Sequence, residues 1–394
     1  MKKLILVAVM SAFVTLSIAC GGSEAVFSTW PMIDGGESHG VYLASDGSLK
    51  AWGYNYYGVL GDGTNTDSLV PVNVSTPTGM EKVVQLGVGR SHNVALCSDG
   101  AIWTWGENSD GELGDGSNDD RNIPVQVAMP AGMEDIIAIA AGQYHSLALS
   151  SDGTVWAWGY NNDGQLGDGT NDTSNVPVQV SLSGCMDTVV AIAAGGDHSL
   201  ALCEDGEVWT WGWNPFGQLG DNSTASRNTP TSVHQPVGMN DVIGIASGYG
   251  HSMAICSDSS LWTWGWNFRG QLGNGSTTES LVPVEITIPS NEPIMLAGGN
   301  QHTLALTDNN TVWAWGDDVK YGQLGTTASS QETLPVAVSA PVGMVDVVAV
   351  GAGEYTSFAV CDDGSVWAWG RNNDGQLGDG STDDRTTPVQ IIAP

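Results

Sequence analysis

Six of the seven histidines stand at one position of a recurring pattern, and they are the first residues whose chemistry has to be considered. Imidazole is a common metal ligand and general base, so a ring of histidines raises the hypothesis of a metal site. However, zinc ligands all lie within ~2.1 Å of the ion, whereas stacked sheets are ~10 Å apart. The adjacent His-Ser pairs form no catalytic dyad, because neighbours on a strand point to opposite faces. We therefore predict structural histidines, hydrogen-bonded near the start of a strand, at His39, His92, His145, His198, His251 and His302, with Thr356 in the seventh copy.

Glycine-rich acidic loops are the second group that could bind a ligand. Residues 114–120 (GDGSNDD) and 378–384 (GDGSTDD) resemble calcium loops in composition. They lack the alternate-residue ligands and the bidentate glutamate of an EF-hand. We therefore favour turn chemistry over specific calcium binding, and we expect no metal and no cofactor. In the related stretch AWGYNNDGQLGDG, Gly164 and Gly167 should shape a turn and Leu166 should fill the core.

Four of the six cysteines also share one offset, which alanine, serine or threonine fills in the other copies. Equivalent positions in neighbouring units lie beyond the ~7 Å limit for bridging Cα atoms. The sequence therefore predicts buried free thiols at Cys97, Cys203, Cys256 and Cys361. Cys185 lies in a different segment and has no evident partner.

These residues all belong to a repeat that is marked by the dipeptide Trp-Gly. It recurs at intervals of 53 residues four times, then 51 and 54, with the tryptophan at positions 52, 105, 158, 211, 264, 315 and 369. Within residues 189–236, apolar or alternating runs at 189–194, 198–203, 207–212 and 230–234 predict four short strands. An Asp-Gly pair between the second and third runs predicts a two-residue hairpin turn.

Seven units of four strands predict an all-β fold, a seven-bladed β-propeller built from seven repeats of about 53 residues. A solenoid is the alternative, but neither end resembles a capping repeat. We expect the ring to close by pairing of the two ends, residues 30–34 with residues 388–392.

The repeat pattern resembles the regulator of chromosome condensation repeat family. The shared motifs are Gly-x-x-His-Ser-x-Ala-Leu, Asp-Gly-x-Val-Trp-x-Trp-Gly-x-Asn-x-x-Gly-Gln-Leu-Gly and a following Pro-Val, from about Gly35 to the end of the chain. The resemblance implies a seven-bladed propeller that binds a protein partner. Relatives include secreted bacterial proteins that clamp onto enzymes, and eukaryotic guanine nucleotide exchange factors that act on a small GTPase and usually bind chromatin.

The N-terminus predicts export. Residues 1–19 combine two lysines, an apolar run too short to span a bilayer, and small residues before Cys20, the plan of a secretory signal. We favour a bacterial lipoprotein acylated at Cys20, although Ser17 departs from that pattern and simple cleavage after Ala19 is the alternative. Residues 20–28 are then a lipidated, flexible linker and residues 29–394 the propeller, anchored in the cell envelope or secreted.

The charge excludes one class of partner. Eleven basic and 43 acidic side chains give a net charge of −32. Such a surface repels nucleic acid phosphates and keeps an exported protein soluble and monomeric. We therefore expect no nucleic acid partner, a monomer, and contact with the membrane only through the anchor.

The candidate binding residues lie in the loops that should share one face of the disc. The residue after Trp-Gly varies from copy to copy, so the fold does not demand an aromatic side chain there. Many exposed aromatics on one face are typical of a recognition surface. The predicted site comprises Tyr54, Tyr57, Tyr160, Trp213, Phe216, Tyr249, Trp266 and Phe268.

The function that follows is a non-catalytic scaffold that binds a protein partner through this face. A glycan-binding lectin is the alternative, because aromatic rings stack on sugars and acids bind hydroxyls. Guanine nucleotide exchange on a small GTPase is the further alternative from the resemblance. No nucleophile with a positioned base and no catalytic carboxylate pair supports an enzyme.

Overall fold

The computed structural model describes residues 31–182, 188–289, 291–327 and 330–392. These residues form 28 strands and no helix. No membrane-spanning helix is therefore found in the described ranges. Residues 1–19, the linker 20–28 and the candidate lipidation site Cys20 lie outside them.

The strands group into seven sheets of four, and each sheet uses four consecutive strands in antiparallel order. The predicted seven-bladed β-propeller is therefore confirmed, with blades numbered one to seven from the N-terminus. The innermost strands, which line a central channel, are β1 (Met32–Gly35), β5 (Val83–Val88), β9 (Ile136–Ala141), β13 (Val189–Ala194), β17 (Val242–Ser247), β21 (Pro293–Gly298) and β25 (Val347–Ala352).

The other three positions of each blade are filled in the same way. The second strands are β2 (His39–Leu43), β6 (His92–Cys97), β10 (His145–Ser150), β14 (His198–Cys203), β18 (His251–Cys256), β22 (His302–Thr307) and β26 (Thr356–Cys361). The third strands are β3 (Leu49–Gly53), β7 (Ile102–Gly106), β11 (Val155–Gly159), β15 (Val208–Gly212), β19 (Leu261–Gly265), β23 (Val312–Gly316) and β27 (Val366–Gly370). The outer strands are β4 (Ser68–Asn73), β8 (Arg121–Gln126), β12 (Ser174–Gln179), β16 (Arg227–Ser232), β20 (Ser280–Ile286), β24 (Glu332–Ala337) and β28 (Arg385–Gln390).

Burial follows the position of the strand in the blade. Every residue of β14 is buried, whereas β16 contains only half-buried and exposed residues. The outer strand of this blade begins at Arg227, three residues before the predicted start at Pro230. Proline is tolerated inside it because an edge strand leaves alternate N–H groups without a ladder partner.

The hairpin between the second and third strands is a three-residue turn, so the predicted two-residue turn is wrong. In blade 4, Gly206 N–H donates to the Cys203 carbonyl at 3.0 Å and Cys203 N–H donates to the Glu207 carbonyl at 2.9 Å. Within this turn only Gly206 takes a positive φ, 86°, as expected for a type I turn with a glycine bulge. The Asp205 carboxylate accepts the Glu207 N–H at 2.9 Å and fixes the turn.

The tryptophans of the Trp-Gly dipeptides are fully buried between neighbouring blades. Trp211 Nε1, for example, donates to the Gln165 carbonyl of the preceding blade at 2.9 Å. Leu166 is fully buried beside it, and a Cβ on Gly167 would lie 2.7 Å from Trp211 Nε1. The Gly-Gln-Leu-Gly loop therefore shapes the fold, as predicted.

The two ends of the chain share no blade in the described structure, so the expected strand pairing of the ends is wrong. Blade 1 is β1 to β4 and blade 7 is β25 to β28. The ring closes by the packing used between other blades: Trp52 Nε1 donates to the Gln376 carbonyl at 2.8 Å, and Ile33, Trp52 and Phe358 join one core cluster. Because each repeat supplies a whole blade, no strand has to be exchanged.

The cysteine prediction is correct for three of the four equivalent positions. Cys97, Cys256 and Cys361 are buried free thiols. Cys203 is disulfide-bonded, so the predicted free thiol there is wrong. The spacing of the blades keeps apart only cysteines at equivalent positions. The other two cysteines of the sequence, Cys20 and Cys185, lie outside the described residues.

Candidate functional site

The loops between the first and second strands and between the third and fourth strands lie on one face of the disc, which we call the loop face. In blade 4, Trp213 N–H donates to the Asp197 carbonyl at 2.8 Å and joins the two loops. The equivalent bond recurs in every blade, and its donors are the backbone N–H groups of residues 54, 107, 160, 213, 266, 317 and 371. The predicted sharing of one face is therefore confirmed.

Four aromatic side chains from blades 4 and 5 form a closed cluster on this face, which we call the four-ring cluster. The Trp213 ring centroid lies 5.3 Å from that of Phe216 and 5.9 Å from that of Tyr249. The Trp266 centroid lies 5.5 Å from that of Phe216 and 5.9 Å from that of Tyr249. All four side chains are half-buried. The structure therefore brings together four of the eight predicted binding residues.

Two glycines make room for the four-ring cluster. A Cβ on Gly196 would lie 2.5 Å from Cδ2 of Tyr249, and a Cβ on Gly250 would lie 3.3 Å from two atoms of Trp266. At the Gly196 position the other blades carry Glu37, Arg90, Gln143, Tyr249, Asn300 and Glu354. These two departures from the repeat were a signal in the sequence that our prediction did not use.

Phe268, which the predicted site also includes, lies apart from the four-ring cluster. Its side chain is 66% exposed and lies against the Arg269 guanidinium at 5.8 Å. Counting back from Gly270, the residue equivalent to Phe216 is Arg269, and Phe268 is equivalent to the exposed Pro215. Phe268 follows Trp266 by two residues, whereas Phe216 follows Trp213 by three, so Phe268 takes the solvent-facing position of Pro215.

The remaining predicted aromatics form separate groups. Tyr54, Tyr56 and Tyr57 form a chain of ring contacts in blade 1, with centroids 6.3 and 5.0 Å apart. Tyr160 contacts Tyr144 at 6.1 Å. The face thus carries several aromatic groups.

Most of the other aromatic groups have a cation of their own. The Arg90 guanidinium lies 5.5 Å from the Tyr144 ring and donates to its hydroxyl. Lys320 and Arg371 lie 4.5 and 5.9 Å from the ring of Tyr321. These are cation–π distances.

The mouth of the central channel lies on the same face and is lined by a polar network. The cavity has a volume of about 140 Å³. Arg90 pairs with Glu37 at 2.9 Å, and Gln143 Nε2 donates to Glu354 Oε1 across the channel at 3.0 Å. Burial, together with the Glu37 charge, raises the pKa of Glu354 to about 7. Charged and amide side chains therefore meet at the channel mouth, where Arg90 Nε and Asn300 Oδ1 are buried without a hydrogen-bond partner among the described residues.

The Asp197 carboxylate flanks the four-ring cluster. Burial raises the pKa of Asp197 to about 6, and the neighbouring Asp163 adds to this rise, while a 3.1 Å hydrogen bond from Gln165 Nε2 opposes it. Tyr249 lies close enough for the Asp197 charge to raise the pKa of its phenol, after burial as the main cause. Aromatic rings and a carboxylate thus share one site.

The residues that suggested metal or turn chemistry have structural partners. Each predicted histidine is buried and its Nε2 lies 2.8–3.0 Å from a side-chain oxygen of the next blade, which confirms the structural role. In the acidic loop, Asp115 accepts bonds from Ser117 and Arg121. Across the described ranges, no group of three or more histidine, cysteine or acidic residues is placed to hold a metal ion.

Comparisons with known proteins agree with this architecture. The model of the RCC1-like domain matches residues 20–298, and models of the regulator of chromosome condensation (RCC1) repeat match residues 296–323, 347–376 and 363–394. The ultraviolet-B receptor UVR8 of Arabidopsis thaliana is 34% identical over 365 residues, which cover 92% of this chain and 81% of the receptor. The E3 ubiquitin-protein ligase HERC2 of Homo sapiens is 32% identical over 363 residues, but the chain spans only 7% of its length.

A solved structure is similar over most of its length as well. Prp20p of Saccharomyces cerevisiae, described with its binding to Gsp1p and histones, superposes with a TM-score of 0.77 at 25% identity, covering 89% of this chain and 87% of Prp20p. The fold, the seven repeats and the family models lead to one conclusion: the chain belongs to the RCC1 repeat family.

Proposed function

We propose that this chain is a non-catalytic binding protein of the cell envelope that recognises a protein partner through its loop face. The observation that carries the proposal is the four-ring cluster of Trp213, Phe216, Tyr249 and Trp266. Equivalent positions to the two tryptophans hold Glu107, Asp317 and Arg371 in other blades, so the propeller does not need aromatic side chains there.

Physical chemistry supports an interface at this cluster. Tryptophan and tyrosine dominate the binding energy of protein interfaces when a partner removes them from water. Four adjacent half-buried rings offer such an anchor, and the polar loops around it supply a rim. Relatives support the protein class of the partner, since Prp20p binds Gsp1p and histones.

Export is part of the proposal. It rests on the signal-like residues 1–19 and on Cys20, with support from the disulfide bond of Cys203, because disulfides persist in oxidising compartments. In a bacterial host the wild-type chain should partition into detergent and Cys20→Ala should stay aqueous. If both stay aqueous, the protein is secreted without an anchor.

The binding experiment compares three forms of the full chain as bait for native envelope proteins. Trp213→Ala with Trp266→Ala should weaken capture of a partner by well over tenfold, because an interface anchor is worth ≥ ~2 kcal/mol. The matched control is Val237→Ala with Val342→Ala, which removes two fully exposed apolar side chains from the opposite face. Equal capture by all three forms would reject the proposed site.

Glycan binding is the second candidate, favoured by the closeness of Asp197 to aromatic rings. Rings stack on sugar faces while a carboxylate accepts hydroxyl hydrogens. Saturable binding on a glycan array, lost in the double tryptophan variant, would select the lectin. Accelerated nucleotide release from a small GTPase would instead select the exchange activity that the family implies.

A further inference from the structure

The aromatic groups of the loop face differ in whether the chain supplies a cation for them. Tyr144 has Arg90, Tyr321 has Lys320 and Arg371, and Phe268 has Arg269. Among the residues that the structure describes, no lysine or arginine lies over a ring of the four-ring cluster. The tyrosine group of blade 1 is also uncovered, but it is an open chain of contacts.

The geometry of the four-ring cluster suits a cation from outside. Its centroid separations of 5.3–5.9 Å close a quadrilateral. A group that rests over the middle lies within about 6 Å of the ring centroids, the range of cation–π attraction. The rings meet at angles from 21° to 88°, so different ring faces and edges border that position.

The charge beside the cluster is uncompensated. The Asp163 charge adds to the rise that burial causes in the pKa of Asp197, and in the described ranges neither carboxylate takes part in an ion pair. By contrast, Asp115, Asp221 and Asp379 in the loops each pair with an arginine at 2.6–3.0 Å. A cation on the cluster would therefore meet both aromatic rings and a free negative charge.

We propose that the four-ring cluster, together with Asp197, receives the guanidinium group of an exposed arginine of the protein partner. The proposal rests on the proposed function and names the chemistry of the partner. Arginine fits better than lysine because its planar group stacks on rings while it donates hydrogen bonds to a carboxylate. Three of the four cations that cover rings on this face are arginines. The net charge of −32 also favours a basic partner.

The test uses the full chain with 15N-labelled tryptophan and a capped Gly-Arg-Gly peptide. The indole N–H signals of Trp213 and Trp266, assigned from single Trp→Leu variants, should shift and saturate with a dissociation constant of about a millimolar. Signals of the buried Trp-Gly tryptophans should stay still. The matched peptide with citrulline, which keeps the shape without the charge, should bind about threefold to tenfold more weakly.

Variants locate the site. Asp197→Asn should weaken the arginine peptide severalfold, whereas Glu107→Gln, which removes a carboxylate from the same face in blade 2, should not. Equal binding of the citrulline peptide, or unchanged binding by Asp197→Asn, would overturn the proposal. The comparison of the two peptides needs no variant, so a folding defect cannot obscure the result. Capture of a partner could depend on the two tryptophans while the arginine and citrulline peptides bind equally well. That result would support the proposed function and reject this inference.

Discussion

Nε2 of His145 in blade 3 lies 2.8 Å from Oγ of Ser199 in blade 4, and both side chains are fully buried. Ser199 Oγ donates in turn to the Gln165 carbonyl at 2.9 Å, the same carbonyl that accepts Trp211 Nε1. One histidine, one hydroxyl and one tryptophan thus join two blades that share no backbone sheet. Five other blade boundaries carry the same His contact, through Asn93, Ser146, Ser252, Thr303 and Ser357.

This contact predicts energetic coupling between neighbouring blades. His145→Ala and Ser199→Ala should each lower the free energy of unfolding. The loss in the double variant should be smaller than the sum of the two single losses by about 0.5–3 kcal/mol, because both substitutions remove the same hydrogen bond. Urea unfolding of the four forms measures the difference. The control pair is His145→Ala with Ser252→Ala, since Ser252 contacts His198 instead. Equal coupling energies in the two pairs would show that the His145–Ser199 hydrogen bond does not cause the coupling.

The buried histidines predict loss of stability in acid. Burial lowers the pKa of His145 from 6.5 to about 3, so the unfolded chain takes up a proton first as the pH falls. The stability from neutral His145 is complete above pH 6.5 and is lost progressively towards pH 3. Between pH 6 and 4, the wild type should lose free energy of unfolding faster than His145→Gln, by on the order of 1 kcal/mol per pH unit. Parallel pH profiles of the two forms would contradict this.

Glu112 predicts the opposite pH dependence. It is buried with Oε1 unpartnered, and burial raises its pKa from 4.5 to about 8. Its folded form binds the proton more tightly, so its contribution is complete below pH 4.5 and is lost as the pH rises towards 8. Glutamine fills this position at residues 165, 218, 271, 323 and 376.

Glu112→Gln should therefore stabilise the protein at pH 8 by on the order of 1–3 kcal/mol and have little effect at pH 4.5. Thermal unfolding at both pH values measures the difference. Gln165→Glu places the same acid in the next blade and should reverse the effect. A gain from Glu112→Gln that is equal at both pH values would mean that ionisation is not the reason.

The cysteines predict a specific labelling pattern. After denaturation without reductant, Cys97, Cys256 and Cys361 should react with an alkylating reagent, because they are free thiols kept from solvent by the fold. Cys203 should react only after reduction, because it is disulfide-bonded. Peptide mass spectrometry distinguishes the two sets, and alkylated Cys203 in the unreduced sample would contradict the disulfide.

The architecture follows from the sequence alone. The Trp-Gly period predicted seven blades, the alternating runs predicted strands such as β13 and β14 with their exact bounds in the chain, and strand alternation placed the variable loops on one face. These features are local or repeat along the chain, so spacing and side-chain period are enough to predict them. The structural role of the buried histidines was predictable in the same way, because equivalent positions of the repeat lie too far apart to bind one metal ion.

Contacts between loops across blade boundaries are visible only in three dimensions. Phe216 contacts Trp266 whereas Phe268 turns to solvent, and Gly196 and Gly250 let Tyr249 complete the cluster. The disulfide of Cys203 and the closure of the ring without a shared blade also became visible only there. Such contacts depend on distances between residues about one repeat apart, and on the space that a missing side chain leaves. Neither quantity is encoded in the period of the sequence.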